Sequence, residues 1–347
     1  MGRIYLDHNA TMPLRAEARA AMVAAMDVAG NPSSVHAEGR AARALIERSR
    51  ASLAASLGTN EGEIVFVSGA TEAAALLLAG RGLSGAGIEH DAVRSWISET
   101  LPVDGDGQVR VAEPGRATLQ LANSETGALQ TLPRGLAVSD WTQAFGKVAV
   151  NFDASGIDAA FVSAHKLGGP KGVGAVVMRP GLDLAAQIRG GGQEMGRRAG
   201  TENVVGIAGF AAAAAAAVAE VADGLWDRVA ELRNILENSL ELRAELTNFV
   251  ARTNRRLPNT TCLVTPGWRG ETQVMQMDLA GFAVSAGSAC ASGKVSASTV
   301  LRAMGQTEAA AGAAIRVSLG PQTTRAEVDA FVKAWTDAQN RFRARAA

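Results

Sequence analysis

Apolar residues along this chain follow two periods, one typical of helices and one typical of buried strands. Helical spacing predicts helices over Ala16 to Met26 and Ala41 to Leu57, and a long helical pair over Asn203 to Ala222 and Leu225 to Glu245. Short, nearly continuous apolar segments predict strands between them: Glu63 to Val67, Thr118 to Ala122, Leu136 to Ser139, Ala159 to Ser163 and Gly174 to Met178. This alternation predicts an α/β domain with a mostly parallel sheet.

The pattern changes after Asn248, where shorter strands are separated by helices. The strands predicted there are Thr261 to Val264, Phe282 to Ser285 and Ile315 to Leu319. A chain of 347 residues is long enough for two domains. We therefore expect a large domain over residues 12–247 and a smaller α+β domain formed by residues 1–11 and 248–347.

Charge and composition exclude several classes of protein. The 34 basic and 34 acidic residues balance, which gives no electrostatic case for nucleic acid or a membrane surface as a partner. No apolar run reaches the roughly 18 residues of a membrane span, although Ala211 to Ala217 comes closest. The first residues lack the apolar core of a secretory signal, and the two cysteines lie far apart, so we expect a cytoplasmic protein with reduced thiols.

A lysine stands at the exit of one predicted strand, in Ser163-Ala164-His165-Lys166. A lysine that loses its charge by desolvation can attack an aldehyde as a neutral amine. The neighbouring Ser163 and His165 can donate to an anion, and Asp140 follows another predicted strand, with Gln143 three residues later. A lysine, a carboxylate at a strand end and anion donors are what pyridoxal phosphate (PLP) requires. Among the five lysines of the chain, we predict that Lys166 bonds to this cofactor.

Two further segments carry candidate chemistry. Ser68-Gly69-Ala70-Thr71-Glu72 joins a predicted strand to a helix, where free backbone N–H groups and the helix dipole favour an anion. Cys290 lies in a run of serine, alanine and glycine, which suits an exposed, mobile loop. Cys262 lies in a strand-like run and fits the usual buried, unreactive cysteine.

Together with other short motifs, these segments resemble the cysteine desulfurases of the NifS/IscS type, which are PLP enzymes of the class V aminotransferase group. The matching motifs occur in the same order along almost the whole chain: Tyr5 to Thr11, Gly30 to Ser34, Ser68 to Glu72, His90, Asp140 with Gln143, Ser163 to Lys166, Arg198 to Thr201, Gly287 to Cys290 and Ile315 to Gly320. The resemblance implies aminotransferase fold type I and conversion of L-cysteine to L-alanine. The sulfur would pass to an enzyme cysteine as a persulfide and then to an iron–sulfur scaffold or another sulfurtransferase.

The resemblance also implies roles for individual residues of this chain. Lys166 would bond to the cofactor, His90 would stack on its ring and act as acid and base, and Cys290 would be the nucleophile. The remaining cofactor contacts implied are Ala70, Thr71, Ser163 and His165 at the phosphate, Asp140 at the ring nitrogen, Gln143 at the phenolic oxygen, and Thr201 from the second subunit of a homodimer. Asn31 and Arg316 would bind the substrate carboxylate. No metal site is predicted, apart from Cys290 as a possible iron–sulfur ligand during transfer.

The chain departs from the family pattern at three places. Ser124 stands where the family usually has an asparagine against the phenolic oxygen, with Asn123 just before it. The region between Gly80 and Leu121 looks shorter than in many relatives. The sequence ends at Arg341 to Ala347 without the longer tail with which some relatives dock an iron–sulfur scaffold, so the sulfur acceptor is left open.

Three other functions remain alternatives to a cysteine desulfurase. Transamination on the same scaffold does not require a loop cysteine, and selenocysteine can be cleaved without one. A non-catalytic adaptor that binds a sulfur-transfer partner is the alternative outside enzymes, and the joint presence of Lys166, Asp140, His90 and Cys290 argues against it.

Overall fold

The computed structural model describes residues 2–244, 247–287 and 297–346. The α-helices within these ranges are α1 (Ala16–Met26), α2 (Ala37–Leu57), α3 (Ala70–Leu78), α4 (Asp91–Arg94), α5 (Phe152–Ser155), α6 (Val204–Ala222), α7 (Leu225–Glu241), α8 (Gly270–Leu279), α9 (Thr299–Ala303), α10 (Glu308–Gly312) and α11 (Arg325–Ala346). The strands are β1 (Ile4–Tyr5), β2 (Glu63–Val67), β3 (Ser84–Ala86), β4 (Ser98–Leu101), β5 (Ser139–Asp140), β6 (Ala159–Ser163), β7 (Gly174–Met178), β8 (Asn248–Phe249), β9 (Thr260–Val264), β10 (Phe282–Ala283), β11 (Ser285–Ala286) and β12 (Ala314–Ser318).

The large sheet has the order β2-β7-β6-β5. Strand β7 is antiparallel to both of its neighbours, whereas β5 and β6 are parallel. Parallel bridges from Val138 to Thr118 and from Ala117 to Ser84 continue the sheet towards β3 and β4, which are also parallel. The sequence prediction of a mostly parallel sheet in an α/β fold is therefore confirmed, with β7 as the antiparallel strand.

Both faces of this sheet are covered, which explains why its strands read as continuous apolar runs. Ala160 and Val162 of β6 belong to the core that also contains residues of α1, α2 and α6. Ala159 and Phe161 of the same strand belong to the core on the opposite face, which includes α3. Because β6 is buried on both faces, polar and apolar residues do not alternate along it. The first polar residue, Ser163, marks its end.

The second sheet is smaller and antiparallel, with the order β11-β12-β9-β8. It packs against α7, α8 and α11 around a core that contains Trp268, Phe331 and Trp335. Strand β1, near the start of the chain, pairs with β10. The exact division of the chain into residues 12–247 and the remainder stays a prediction.

Several predicted elements agree with the structure, and others differ. The predicted strand Thr118 to Ala122 is present only as isolated bridges at Thr118 and Ala122, and of the predicted strand Leu136 to Ser139 only Ser139 lies in a strand, β5. Helix α2 begins at Ala37, four residues before the predicted start, because His36 Nδ1 accepts from Gly39 N and caps the helix. The predicted strand Phe282 to Ser285 is two strands, because β10 pairs with β1 whereas β11 pairs with β12. The local pattern could not show this change of partner.

Helix α6 is long and apolar enough, by length and composition alone, to cross a membrane. Half of its apolar window is buried within the protein, and Phe210, Ala213 and Ala214 belong to the core of the large sheet. The helix packs against α1 and α2. It therefore behaves as the tightly packed alanine helix that the sequence predicted.

Candidate functional site

A cavity of about 690 Å³ opens beside the ends of β5 and β6 and the start of α3. It contains most of the predicted site residues, which come from segments far apart in the chain. Those lining it are Ala70, Thr71, His90, Ser124, Asp140, Gln143, Ser163, His165, Lys166 and Arg316. The N-terminal residues Asn9, Ala10 and Thr11 line it as well.

Lys166 lies in a short 3-10 turn, Ala164–Lys166, that directly follows β6. Its Nζ donates to the backbone oxygens of Asn9 at 2.8 Å and Ala10 at 2.9 Å. The N-terminal segment runs along this turn, since Met12 N donates to His165 O at 2.9 Å. The amine is therefore held at the cavity wall by main-chain oxygens.

The segment after Lys166 is fixed by Arg15. Arg15 Nε donates to Leu167 O at 2.7 Å, and the Arg15 guanidinium pairs with both carboxylate oxygens of Glu220 on α6. Gly168 has φ +90°, and a Cβ there would collide with the Arg15 side chain. A glycine is therefore required for this turn to pack against Arg15.

Asp140 lies at the end of β5, where it lines the cavity. Burial raises the pKa of Asp140, while the hydrogen bond from the Thr142 backbone and the nearby His90 and Lys166 lower it in part. Thr142 N donates to Asp140 Oδ1 at 2.7 Å, and Thr142 Oγ1 is buried without a partner among the described residues. A desolvated carboxylate of this kind favours a cationic group against it.

Backbone and side-chain donors line the cavity at the start of α3 and at the end of β6. The first turn of α3 directs the N–H groups of Ala70 and Thr71 out of the helix, where they favour an anion. Ser163 at the end of β6 and His165 lie beside this turn. Burial, with the nearby lysines, lowers the pKa of His165 to about 4, so its imidazole is neutral and carries one N–H at neutral pH.

The loop before α3 is braced by its own helix and by a distant arginine. Glu72 Oε2 accepts from Ser68 N at 2.8 Å, and Glu72 Oε1 accepts from Arg198 Nε at 2.9 Å. A Cβ on Gly174 of β7 would press on the backbone of Gly69. The strand–turn–helix junction that presents the anion donors is therefore fixed from two sides.

His90 lines the cavity and caps α4, because its Nδ1 accepts from Ala92 N at 3.1 Å. Glu89, just before it, is buried and accepts from Gln120 N at 2.9 Å. Burial raises the pKa of Glu89 well above its ordinary value, and the Asp140 charge raises it further. The backbone that carries His90 is thereby tied to the segment between Gln120 and Ser124.

Arg316, on β12, brings a cation into the cavity from the second sheet. Its Nη2 donates to Asp7 Oδ1 at 2.8 Å and its Nη1 donates to Ser124 O at 3.1 Å. Its Nε is buried and has no partner among the described residues. A guanidinium held in this way is suited to receive a carboxylate.

The neighbouring Asn123 cannot replace the family asparagine from its present position. Its Nδ2 donates to Ile88 O, and its Oδ1 accepts from the backbone N–H groups of Glu125 and Thr126. Both ends of the amide are occupied within the loop. Ser124 is therefore the residue of this pair that reaches the cavity.

Two residues that sequence reasoning did not assign are central to the site. Asn9 is fully buried, and its backbone oxygen accepts from both Lys166 Nζ and Gln143 Nε2. Lys147 is 1% exposed and donates to Gln143 Oε1 at 2.8 Å and Asn9 Oδ1 at 3.2 Å. The only sequence signal for Lys147 was its spacing of four residues from Gln143.

Two of the predicted site residues that the structure describes do not line this cavity. Asn31 is exposed, and its Oδ1 accepts from Ser33 N at 2.9 Å. Thr201 is also exposed in the single chain. Cys290 lies outside the described residues, whereas Cys262 is buried in β9, where burial raises the pKa of its thiol well above the ordinary value.

The donor set of the cavity fits PLP. An amine at Lys166 can meet the aldehyde, the desolvated Asp140 can meet the cationic ring nitrogen, and the N-terminus of α3 can meet the phosphate. Thr142 Oγ1 adds a buried hydroxyl that the protein itself leaves unpaired among the described residues.

Comparisons with known proteins show what this chain is similar to. The family model of Aminotransferase class-V matches residues 4–92 and 122–331. A cysteine desulfurase of Cereibacter sphaeroides is 38% identical over 96% of this chain and 95% of that protein. A cysteine desulfurase of Frankia sp. is 40% identical over 94% of this chain and 88% of that protein.

The fold is also similar to solved structures. The X-ray structure of a NifS-like protein from Rickettsia africae superposes with a TM-score of 0.89 at 30% sequence identity. The superposition covers 97% of this chain and 99% of that one.

Proposed function

This chain belongs to the class-V aminotransferase family and, within it, to the PLP-dependent cysteine desulfurases, and we propose that the cavity beside Lys166 is where it removes sulfur from L-cysteine. The observation that carries this assignment is the meeting of Lys166, Asp140 and the N-terminus of α3 in one cavity. Each of these groups matches a different part of PLP.

Most of the site residues are assigned to binding the cofactor, and two are assigned to binding the substrate. Lys166 would bond to PLP, Asp140 would meet the ring nitrogen, and Gln143 and Ser124 would meet the phenolic oxygen. Ala70, Thr71, Ser163 and His165 would hold the phosphate, and His90 would stack on the ring. Arg316, which is paired with Asp7, binds the substrate carboxylate. Asn31, which does not line the described cavity, assists Arg316 in this binding.

Bound PLP supplies an acceptor for the electrons left when the substrate Cα loses its proton. Lys166 Nζ takes that proton, because it is the amine held at the cavity wall beside the cofactor position. His90 serves as the further acid and base. The pairing of Lys166 with two carbonyl oxygens keeps its amine in place when it is not bonded to the cofactor.

Sulfur transfer is assigned to Cys290. Its thiolate attacks the substrate sulfur, a new S–S bond forms on the enzyme, and the substrate C–S bond breaks. The electron pair of that bond stays with the carbon fragment, which gains one proton at Cβ, regains at Cα the proton that Lys166 took, and leaves as L-alanine. An external thiol then takes the persulfide sulfur, so we propose an acceptor protein that supplies iron–sulfur clusters or another thio-cofactor.

We also propose a cellular compartment, an oligomeric state and a division into domains. We assign the enzyme to the cytoplasm and to a homodimer in which Thr201 reaches the phosphate of the partner's cofactor. The exposure of Thr201 in the single chain is compatible with such a contact. We also propose that residues 12–247 form the cofactor domain and that residues 1–11 and 248–347 form the smaller domain.

The test is an absorption spectrum of the purified protein before and after addition of L-cysteine. Alanine and sulfide are measured in the same samples with an excess of a thiol reductant, which releases the persulfide sulfur as sulfide. A visible cofactor band that changes on addition, with equal amounts of alanine and sulfide, is the expected result. A band that changes while neither alanine nor sulfide is formed would indicate another PLP reaction, such as transamination. Preference for selenocysteine in a direct competition would indicate a selenocysteine lyase. The lack of any cofactor band would contradict the proposal.

A further inference from the structure

We propose that Lys147 is a positioning residue for the PLP site, because it fixes the side-chain amide of Gln143 so that an N–H group faces the cavity. The inference rests on the proposed function, since the group that would receive this N–H is the bound cofactor. Lys147 itself does not line the cavity and acts through Gln143.

The burial of Lys147 calls for a specific reason. Its side chain is among the largest that are fully enclosed, and the charged groups that act on it are the cations Lys166 and Arg316. Placing an ammonium there without a carboxylate is unfavourable. Burial, with these two cations, lowers the pKa of Lys147 well below its ordinary value.

The neutral amine matches the contacts that the structure shows. It has two N–H groups, and Lys147 Nζ has two oxygen partners, Gln143 Oε1 at 2.8 Å and Asn9 Oδ1 at 3.2 Å. Both donors are therefore satisfied without a buried charge. A lysine in this form serves as a neutral double donor.

The amide of Gln143 has one orientation that satisfies all its neighbours. Its Oε1 accepts from Lys147, and its Nε2 donates to Asn9 O at 2.9 Å. A reversed amide would place Oε1 against the Asn9 carbonyl oxygen, so two acceptors would face each other. Since an amide nitrogen has two N–H groups, the second is the one available to the cavity that Gln143 lines.

The position of Asn9 is fixed by the hydrogen bonds of its own side chain. Its side chain receives Asn259 Nδ2 at 3.0 Å and donates to Thr260 Oγ1 at 2.8 Å, so it is anchored to the residues around the start of β9. The same backbone oxygen that accepts from Gln143 also accepts from Lys166. The contacts from Lys147 therefore set Gln143 in a fixed relation to the cofactor lysine.

The experiment is a pH titration of the visible absorbance of bound PLP in the holoenzyme without substrate. The proteins compared are the wild type, Lys147→Met, Gln143→Ala and the double variant. Lys333→Met is the matched control, because Lys333 is exposed and pairs with Asp337 on α11. The titration reads the cofactor environment independently of turnover, and thermal unfolding is measured in parallel.

A donor aimed at an anionic oxygen favours the deprotonated form, so its loss moves the absorbance transition to higher pH. Lys147→Met and Gln143→Ala should each shift the midpoint upwards by about one pH unit, a tenfold change in the protonation equilibrium. The double variant should shift no further than the single ones, and Lys333→Met should leave the midpoint unchanged.

Two results would overturn the inference. One is a lower unfolding temperature of Lys147→Met with an unchanged midpoint, which indicates packing alone. The other is an additive shift in the double variant, which means that Lys147 does not act through Gln143. If Lys147→Met does not fold, Lys147→Leu, which likewise removes the donor, is titrated instead, and an unchanged midpoint there has the same meaning. A wild type without a cofactor band would contradict the proposed function itself.

Discussion

Arg316 Nη2 lies 2.8 Å from Asp7 Oδ1, and this ion pair joins the N-terminal segment to strand β12 at the cavity wall. Asp7 Oδ2 in turn accepts from Ser285 Oγ at 2.8 Å, and Ser124 O accepts from Arg316 Nη1. Three separate segments therefore hold the guanidinium before any substrate arrives. Such preorganisation reduces the entropy lost when a carboxylate binds.

Arg316→Lys should weaken the binding of L-cysteine, because an ammonium cannot reach Asp7, Ser124 O and a substrate carboxylate with the planar geometry of arginine. We expect KM to rise by at least about tenfold, which corresponds to the loss of one charge-assisted hydrogen bond. Steady-state kinetics measure this, and the cofactor spectrum without substrate should stay unchanged. The control is Arg269→Lys, at an exposed arginine paired with Glu271. An unaltered KM in Arg316→Lys would remove this residue from substrate binding.

Lys166→Ala should abolish the visible band of bound PLP and lower turnover by at least about a hundredfold, because the cofactor bond and the proton acceptor are lost together. In the wild type, borohydride reduction followed by peptide mapping should label Lys166. Lys333→Ala, on the exposed face of α11, is the control. Labelling of Lys147, whose buried amine lies 2.8 Å from Gln143 Oε1, would show that the wrong lysine was chosen.

Glu125 should make stability depend on pH in an unusual direction. The residue is buried and accepts from Ser298 Oγ at 2.8 Å. Burial raises the pKa of Glu125 from 4.5 to about 7, although Ser298 and Arg316 lower it in part. Between these values the folded protein keeps a proton that the unfolded chain releases, so this group lowers stability as pH rises through the window. Below pH 4.5 the effect is absent, and above pH 7 it is complete.

Glu125→Gln removes this titration and keeps an oxygen for Ser298. Relative to the wild type, the variant should gain up to about 3 kcal/mol in the free energy of unfolding between pH 4.5 and pH 7.5. Urea unfolding at several pH values measures the difference. Glu113→Gln, at an exposed glutamate, should show no such trend. A constant difference across this range would contradict the assigned titration.

We predict that the protein is a dimer in solution, which light scattering measures, and that Thr201 contributes to the cofactor site of the partner subunit. Thr201→Val should weaken PLP binding by at least about tenfold if its hydroxyl reaches the partner's phosphate. A hybrid of one Lys166→Ala subunit and one Thr201→Val subunit would then contain one complete site. PLP titration of that hybrid should recover a tight site at half the wild-type stoichiometry. A hybrid with only weak binding would place Thr201 elsewhere.

The parts of the site that sequence could predict are those with a local signature. Lys166 follows the apolar strand β6, Asp140 is the last residue of β5 after the apolar run Leu136 to Val138, and the ends of the two strands meet at the cavity. The helix start at Ala70 is likewise marked by the preceding glycine. These signals depend on neighbours in the chain, which a single sequence contains.

The parts that could not be predicted depend on distant contacts. Lys147 and Asn9 are separated by 138 residues, and neither residue type indicates a buried pairing by itself. The contact of Arg316 with Ser124 uses a backbone oxygen, so the side chain at position 124 carries no signal for it. Thr201 and Asn31 are exposed in the single chain, and their predicted roles need further structure around them.

The assignment as a desulfurase, and not merely as a PLP enzyme, depends on Cys290. Its sequence surroundings contain small residues, whereas Cys262 is fully buried in β9 and burial keeps the pKa of its thiol high. Since the thiolate is the reactive form, Cys262 should be silent. After reaction with L-cysteine, mass spectrometry should find one additional sulfur on the peptide with Cys290 and none on the peptide with Cys262.

Cys290→Ser should still bind L-cysteine and change the cofactor spectrum, because Lys166 and Arg316 are untouched, but it should release no sulfide. Cys262→Ser is the matched control and should keep sulfide release, with some loss of stability because a hydroxyl replaces a buried thiol. Full sulfide production by Cys290→Ser would show that sulfur leaves without an enzyme persulfide. In that case the loop cysteine would not be the nucleophile, and cleavage of the kind available to selenocysteine would have to be considered for L-cysteine as well.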